Sequence, residues 1–243
     1  MGVIAELWRR ALATQPLPGA QGSLVLAVVA LAAVATAWPL VRLLVTVCHE
    51  GGHAVVAVLA GRRLSGIRVH SDTSGLTVSR GRPRGPGMMA TLLAGYPAPA
   101  VVGLGLALLV GTGHAAGVLW LLVVLAGVML VWVRNLYGAL VVVVAAGVVG
   151  VVTWYSPPAI LGWVATGLAW LFLWAAPRPV LELLARHSPG SDAAQLAGLT
   201  HVHRHLWGIL WLVITVAALL AGALLMVPGL YDWARLAVLP AAR

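Results

Sequence analysis

With 243 residues, 61% of them hydrophobic and 9% charged, and a mean hydropathy of +1.00, the chain is too apolar for a water-soluble domain, which carries about 25% charged residues. Its net charge of +9 comes from 15 basic residues, all arginine, against six acids. These arginines flank apolar runs, so the excess reads as membrane topology rather than as nucleic-acid binding. The single cysteine, Cys48, excludes an intrachain disulfide.

Residues 1–22 are expected to form an amphipathic segment on the membrane surface, helical over Ile4–Ala13 and followed by a Pro/Gly-rich link. Residues 23–227 read as the transmembrane body and 228–243 as a tail. The apolar runs Ser23–Trp38 and Leu40–Ala60 are separated only by Pro39, which either divides two spans or kinks one helix. The polar island 61–87 then holds six arginines and one aspartate. Within it, Gly66–His70 and Gly75–Ser79 predict two strands around the turn residues Ser71–Ser74, a β-hairpin on the membrane face.

Met88–Val110 reads as a single span, with the small residues of Ala94–Gly103 as a helix-packing face. Ala115–Val133, Leu136–Trp154 and Ala159–Ala176 follow. A second polar island, 177–204, precedes the last span, His205–Val227; in it, Ser191-Asp192 marks a helix start. The expected fold is all-α, a polytopic bundle of six or seven transmembrane helices with one short hairpin. Counting seven spans puts twelve arginines on the side of the 61–87 loop and leaves Arg235 and Arg243 on the other, with Arg42 near the short turn. That asymmetry predicts a cytoplasmic loop, and a plasma (inner) membrane protein whose site opens toward the cytoplasm.

The chemistry is concentrated in Thr46–Gly61. His49-Glu50-Gly51-Gly52-His53 is an H-E-x-x-H sequence; on a helix, i and i+4 share a face, so the two imidazoles can present themselves to one Zn²⁺. Glu50 is placed to serve as general base toward water activated by the metal. An unpaired glutamate in an apolar span is expensive, which argues that it has work to do there. Cys48 points about 100° away from its neighbour His49 and reads as packing.

Two histidines leave a tetrahedral zinc one protein ligand short. Among the six acids, Glu6 lies in the leader, Asp232 in the tail, and Glu182 between Arg178 and Arg186 in a surface ion-pair ladder. Asp72 suits the hairpin turn. Asp192 is the preferred third ligand, because it starts a helix beside a span on the same side as the arginine loop. The tract His201, His203, His205 and the hairpin Asp72 are the alternatives, whereas His70 and His114 read as ordinary loop or interface histidines.

Taken with the apolar spans, His49–His53, the loop Ser65–Thr77 and the span Ala94–Ala100 resemble the site-2 protease family of intramembrane zinc metalloproteases, in its compact bacterial B-type-like branch. The resemblance extends through Arg134–Gly138 and Ser191–Ala193. It implies a zinc peptidase that cuts a transmembrane or membrane-adjacent segment of a membrane-protein substrate, as in regulated intramembrane proteolysis. One departure is clear: the family's later Leu-Asp-Gly motif is missing, and Asn135-Leu136-Tyr137-Gly138 matches only the start of that pattern.

The expected reaction is peptide hydrolysis with Glu50 as proton acceptor, extended substrate adding to a strand of the hairpin, and Asn135 as an oxyanion or substrate-positioning group. Two rivals are a catalytically silent zinc-binding scaffold of the same fold and a metal transporter. The first draws on the missing Leu-Asp-Gly. The second lacks a relay of ionisable residues in other spans.

Overall fold

The computed structural model describes residues 2–186, 188–227 and 229–230. Most of the tail, with Asp232, lies outside these residues, as does His187. All seven apolar runs form helices, because a chain in lipid must satisfy its backbone polar groups internally. α1 (Val3–Leu12) is the amphipathic leader, followed by α2 (Ala20–Thr36) and α3 (Trp38–Leu59). The run around Pro39 divides at Ala37, which leaves helical geometry at φ −113°, ψ 30°, with the proline in the first turn of α3. Proline is tolerated there because that N–H has no intrahelical acceptor.

The antiparallel strands β1 (Arg63–Val69) and β2 (Gly75–Arg80) come next, longer at their open end than the sequence pattern suggests. A register shift between Leu64 and Gly66 lets Arg63 face Arg80. The turn closes as an Asx turn: Asp72 accepts from the Ser74 amide (2.9 Å) and hydroxyl (2.7 Å). Those hydrogen bonds hold the Asp72 carboxyl below its ordinary range.

The predicted span 88–110 is broken. α4 (Pro86–Leu93) and α5 (Ala98–Gly111) meet at 65° across Ala94–Pro97. Pro97 has no N–H to offer the Leu93 carbonyl one turn back. That carbonyl instead accepts from the Trp211 indole N–H at 3.1 Å, so a side chain from the last span completes what the proline removed. Trp211→Phe keeps an aromatic side chain, smaller than the indole, and deletes the donor. It should lower the unfolding free energy by about 1–3 kcal/mol, readable as a lower thermal midpoint of the purified protein, because a buried carbonyl loses its partner.

The remaining helices are α6 (Ala115–Leu130), α7 (Leu136–Tyr155), α8 (Pro158–Ala175), α9 (Pro177–Ala185), α10 (Asp192–Thr200) and α11 (Arg204–Met226). Four helical stretches are long and apolar enough to cross a membrane, with α4–α5 a fifth if counted as one broken span; α2 and α6 are apolar but shorter. The main core lies among α2, α5, α8 and α11, around Ala27, Ala30, Leu106, Ala169, Leu173 and Ala218. Small residues allow this approach in lipid, where packing rather than water exclusion drives association. Trp170 is buried in this core and donates to Ser23 on α2 at 3.0 Å.

The second polar island forms the helix pair α9–α10, the latter starting at Asp192 as the Ser191-Asp192 signal predicts. Glu182 reaches Arg178 (3.7 Å) as the ladder predicts, but its other partner is Arg42 of α3 (3.4 Å), not Arg186. Arg178 also donates to the Val34 carbonyl at the end of α2 and lies over the Trp38 ring. These contacts fasten α9 to the α2–α3 junction. A separate apolar cluster of Leu92, Val180, Ala193, Leu196 and Trp211 fastens α10 against α4 and α11.

Candidate metal centre

One face of α3 carries Thr46, Glu50, His53 and Ala57, all buried, with His49 beside them. The histidine pair is one helical turn apart, and its ring nitrogens converge: His49 Nε2 and His53 Nε2 are 3.0 Å apart. Asp192, the first residue of α10, closes the group, with Oδ2 3.2 Å from each Nε2. Four ligands at about 2.0–2.1 Å around a tetrahedral zinc lie about 3.3 Å from one another. The three separations therefore describe one face of such a tetrahedron. Among the described residues, this is the group of metal-ligating side chains that could hold an ion.

The surroundings prepare these atoms as ligands. His53 Nδ1–H donates to the Thr91 carbonyl at 2.6 Å, which leaves the Nε2 lone pair free. The His49 ring meets Tyr96 edge-to-face at 4.8 Å, and Tyr96 stacks on Trp211 at 4.6 Å. Asp192 is not needed as a helix cap, because Ser191 Oγ accepts from the Ala194 amide at 3.3 Å. Burial works against a charged Asp192, but hydrogen bonds and charge from His49 and His53 outweigh it and hold its carboxyl below the ordinary range.

Gly95, in the break between α4 and α5, explains why a small residue is required there. A Cβ on it would fall within 2.6 Å of His53 Nε2 and His49 Cε1, pressed against the two imidazoles. The donor set and this cradle together fit a small tetrahedral cation. Gly95→Ala should therefore weaken zinc binding at least about tenfold, the scale of a disturbed ligand shell. Chelator competition on the purified protein measures this, and the Gly105→Ala variant, with open space around that position, is the control.

Glu50 is 4% exposed and stands apart from the ligand set. The hydroxyl of Thr77, on β2, donates to its Oε2 at 2.5 Å and lies 3.1 Å from its backbone carbonyl. Gly75 lets the strand approach, since a Cβ there would overlap the Glu50 carboxylate. The Thr46 hydroxyl adds a bond to the Thr73 carbonyl at 2.8 Å, fixing the hairpin tip to the helix. The hairpin thus lies along α3 and covers the candidate base.

The other candidate residues fall elsewhere. Asp72 is committed to its turn, and His70 contacts Ser74 there. His201 ends α10 in the left-handed region at φ 58°, while His203 caps α11 by accepting from the His205 amide and stacks on His205. His114 contacts Thr112 at the start of α6. Asn135 uses both ends of its amide on β1: Nδ2 donates to the Val69 carbonyl (2.6 Å) and Oδ1 accepts from the Val69 amide (3.2 Å). With Ile67 N–H bonded to Trp132 and Arg134 N–H to Ile67, residues 132–135 occupy the outer edge of β1. Thr77, Thr91, Gly75 and Gly95 were not singled out from sequence; Gly75 and Gly95 in motif-like stretches carried the only signal.

Comparison with known proteins agrees with this geometry. The sequence model of the Peptidase M50B-like family matches residues 22–222, a stretch that contains the histidine pair, the hairpin, the α4–α5 break and Asp192. No curated protein and no solved structure matches the chain. Its apolar helices and this match make it a membrane protein of the Peptidase M50B-like family.

Proposed function

We propose that the chain is a zinc-dependent intramembrane endopeptidase that cleaves a membrane-spanning or membrane-adjacent segment of a protein substrate. The observation that carries this reading is the convergence of His49, His53 and Asp192 beside a separate buried carboxylate, Glu50. A purely structural metal site has no use for such a base. The scaffold alternative drew on the missing Leu-Asp-Gly motif, and Asp192 supplies a carboxylate at the place that argument left open.

His49, His53 and Asp192 would hold the metal. When bound, zinc contributes Lewis acidity, which acidifies water and polarises a carbonyl oxygen. Glu50 accepts the proton of the attacking water at its carboxylate and returns it to the leaving amine. Thr77 aims that carboxylate by donating to Oε2. The outer edge of β1 is occupied by residues 132–135, so an extended substrate has β2, Gly75–Arg80, as the strand to join. Asn135 serves substrate positioning through the hairpin, by holding Val69 in register. The arginine asymmetry supports a plasma-membrane orientation with the hairpin base toward the cytoplasm.

The test needs no prior substrate. Membranes of cells producing the wild type or Glu50→Gln are compared by peptide mapping for new chain ends inside or beside membrane spans. Ends present only with the wild type are expected. Identical maps from cells with equal protein levels would contradict the reading.

A further inference from the structure

The inner and outer faces of the hairpin differ in kind. Ile67, Val69, Gly75 and Thr77 turn toward α3 and its neighbours, with Ile67 and Val69 fully buried. On the outer face, the register sets Arg68 beside Leu76 and Arg63 beside Arg80, with Val78 between them opposite Gly66. Leu76 and Val78 are 49% and 44% exposed. Arg134 reaches across Gly66, where a Cβ would collide with its side chain. Two bare aliphatic side chains are thus ringed by four exposed arginines.

No protein carboxylate answers these charges among the described residues. Glu6 pairs with Arg9 and Arg10, Glu182 with Arg42 and Arg178, Asp192 with His49 and His53, while Glu50 and Asp72 are held by Thr77 and Ser74. Like charges directly opposite on paired strands are unfavourable, so Arg63 against Arg80 calls for an anion from outside the chain. The patch adjoins the end of α3, where Val55, Val58 and Leu59 are exposed. Apolar side chains ringed by guanidinium groups match the boundary between acyl chains and phosphates, and the guanidinium fork fits phosphate oxygens in pairs.

We propose that the outer face of the hairpin is a binding surface for anionic phospholipid headgroups, with Arg63, Arg68, Arg80 and Arg134 on the phosphates and Leu76 and Val78 at the acyl boundary. The hairpin that covers Glu50 on one side would then rest on the membrane surface on the other. This inference needs the membrane setting but not the peptidase reading.

The test uses the delipidated full-length chain in a neutral detergent, offered an equimolar mixture of phosphatidylglycerol and phosphatidylcholine. Retained lipid is counted by native mass spectrometry. The wild type should retain phosphatidylglycerol preferentially. Arg68→Gln/Arg80→Gln should lower that preference about 30-fold, on the scale of two basic residues near an anionic surface. Arg68→Lys/Arg80→Lys, which keeps the charge but not the fork, should fall between the glutamine variant and the wild type, and Arg9→Gln/Arg10→Gln in the leader should leave the preference unchanged. Unaltered zinc content in each variant verifies the inner face. The proposal is overturned if the wild type shows no preference or if the glutamine variant keeps it. It is equally overturned if inorganic phosphate alone displaces the lipid, or if a hexaglutamate peptide binds in an arginine-dependent way and phosphatidylglycerol does not.

Discussion

Asp192→Asn should lower zinc affinity at least about 100-fold, the upper end of what disturbing even an outer ligand shell costs. The substitution keeps the shape of the side chain, so Ala193 and Leu196 retain their packing against Leu92, Val180 and Trp211. What changes is the candidate ligand: the carboxylate oxygen that stands 3.2 Å from both imidazole nitrogens becomes a neutral amide. Two histidines then face the cation without a negative charge, in surroundings of low dielectric where that charge matters most. Asp72→Asn and His203→Ala should leave zinc binding unchanged, because the first side chain closes the hairpin turn and the second caps α11. Metal analysis after equilibration with a zinc buffer measures all three. Equal zinc in Asp192→Asn and wild type would remove Asp192 from the site.

Glu50→Gln should separate binding from catalysis. Zinc content is expected to stay at the wild-type level, because Glu50 is not among the converging donors. Cleavage should fall by about 10²–10⁴-fold, the contribution of a positioned general base. The amide oxygen of glutamine can still accept from Thr77, so the strand above it keeps its contact and the fold is undisturbed. A variant that lost zinc together with activity would place Glu50 in the ligand set instead. Undiminished cleavage would assign the proton transfer to another group.

Much of this arrangement is legible in the order of residues, for reasons that are local. Each apolar run turns helical, 88–110 in two pieces, and i,i+4 spacing on α3 brings His49 to His53 whatever lies around them. The hairpin follows from short alternating segments around a turn rich in Ser, Asp and Thr. The scarcity of acids, six in the chain, favours Asp192 to complete the histidine pair, with Asp72 and the tract His201, His203, His205 as the alternatives the sequence leaves open.

What is not legible depends on partners far along the chain. The break at Ala94–Pro97 is held open by Trp211, 118 residues after the carbonyl it satisfies, and in the sequence those small residues read as a packing face. Gly95 does face a close neighbour, but the neighbour is the pair of imidazoles rather than another helix. Asn135 lies 66 residues from Val69, and only the extended path of residues 132–135 beside β1 makes its amide a strand mimic. Glu182 has one partner at i−4 and the other on α3, and helical spacing alone cannot find the second.

X-ray absorption at the zinc edge of the purified protein addresses the metal centre without a substrate. The account predicts bound zinc with a shell of nitrogen and oxygen ligands at about 2.0–2.1 Å and the multiple-scattering signature of two imidazoles. Asp192→Asn should lose that signal. A sulfur ligand at about 2.3 Å would implicate Cys48, and it or an absence of bound zinc would contradict the site built from His49, His53 and Asp192.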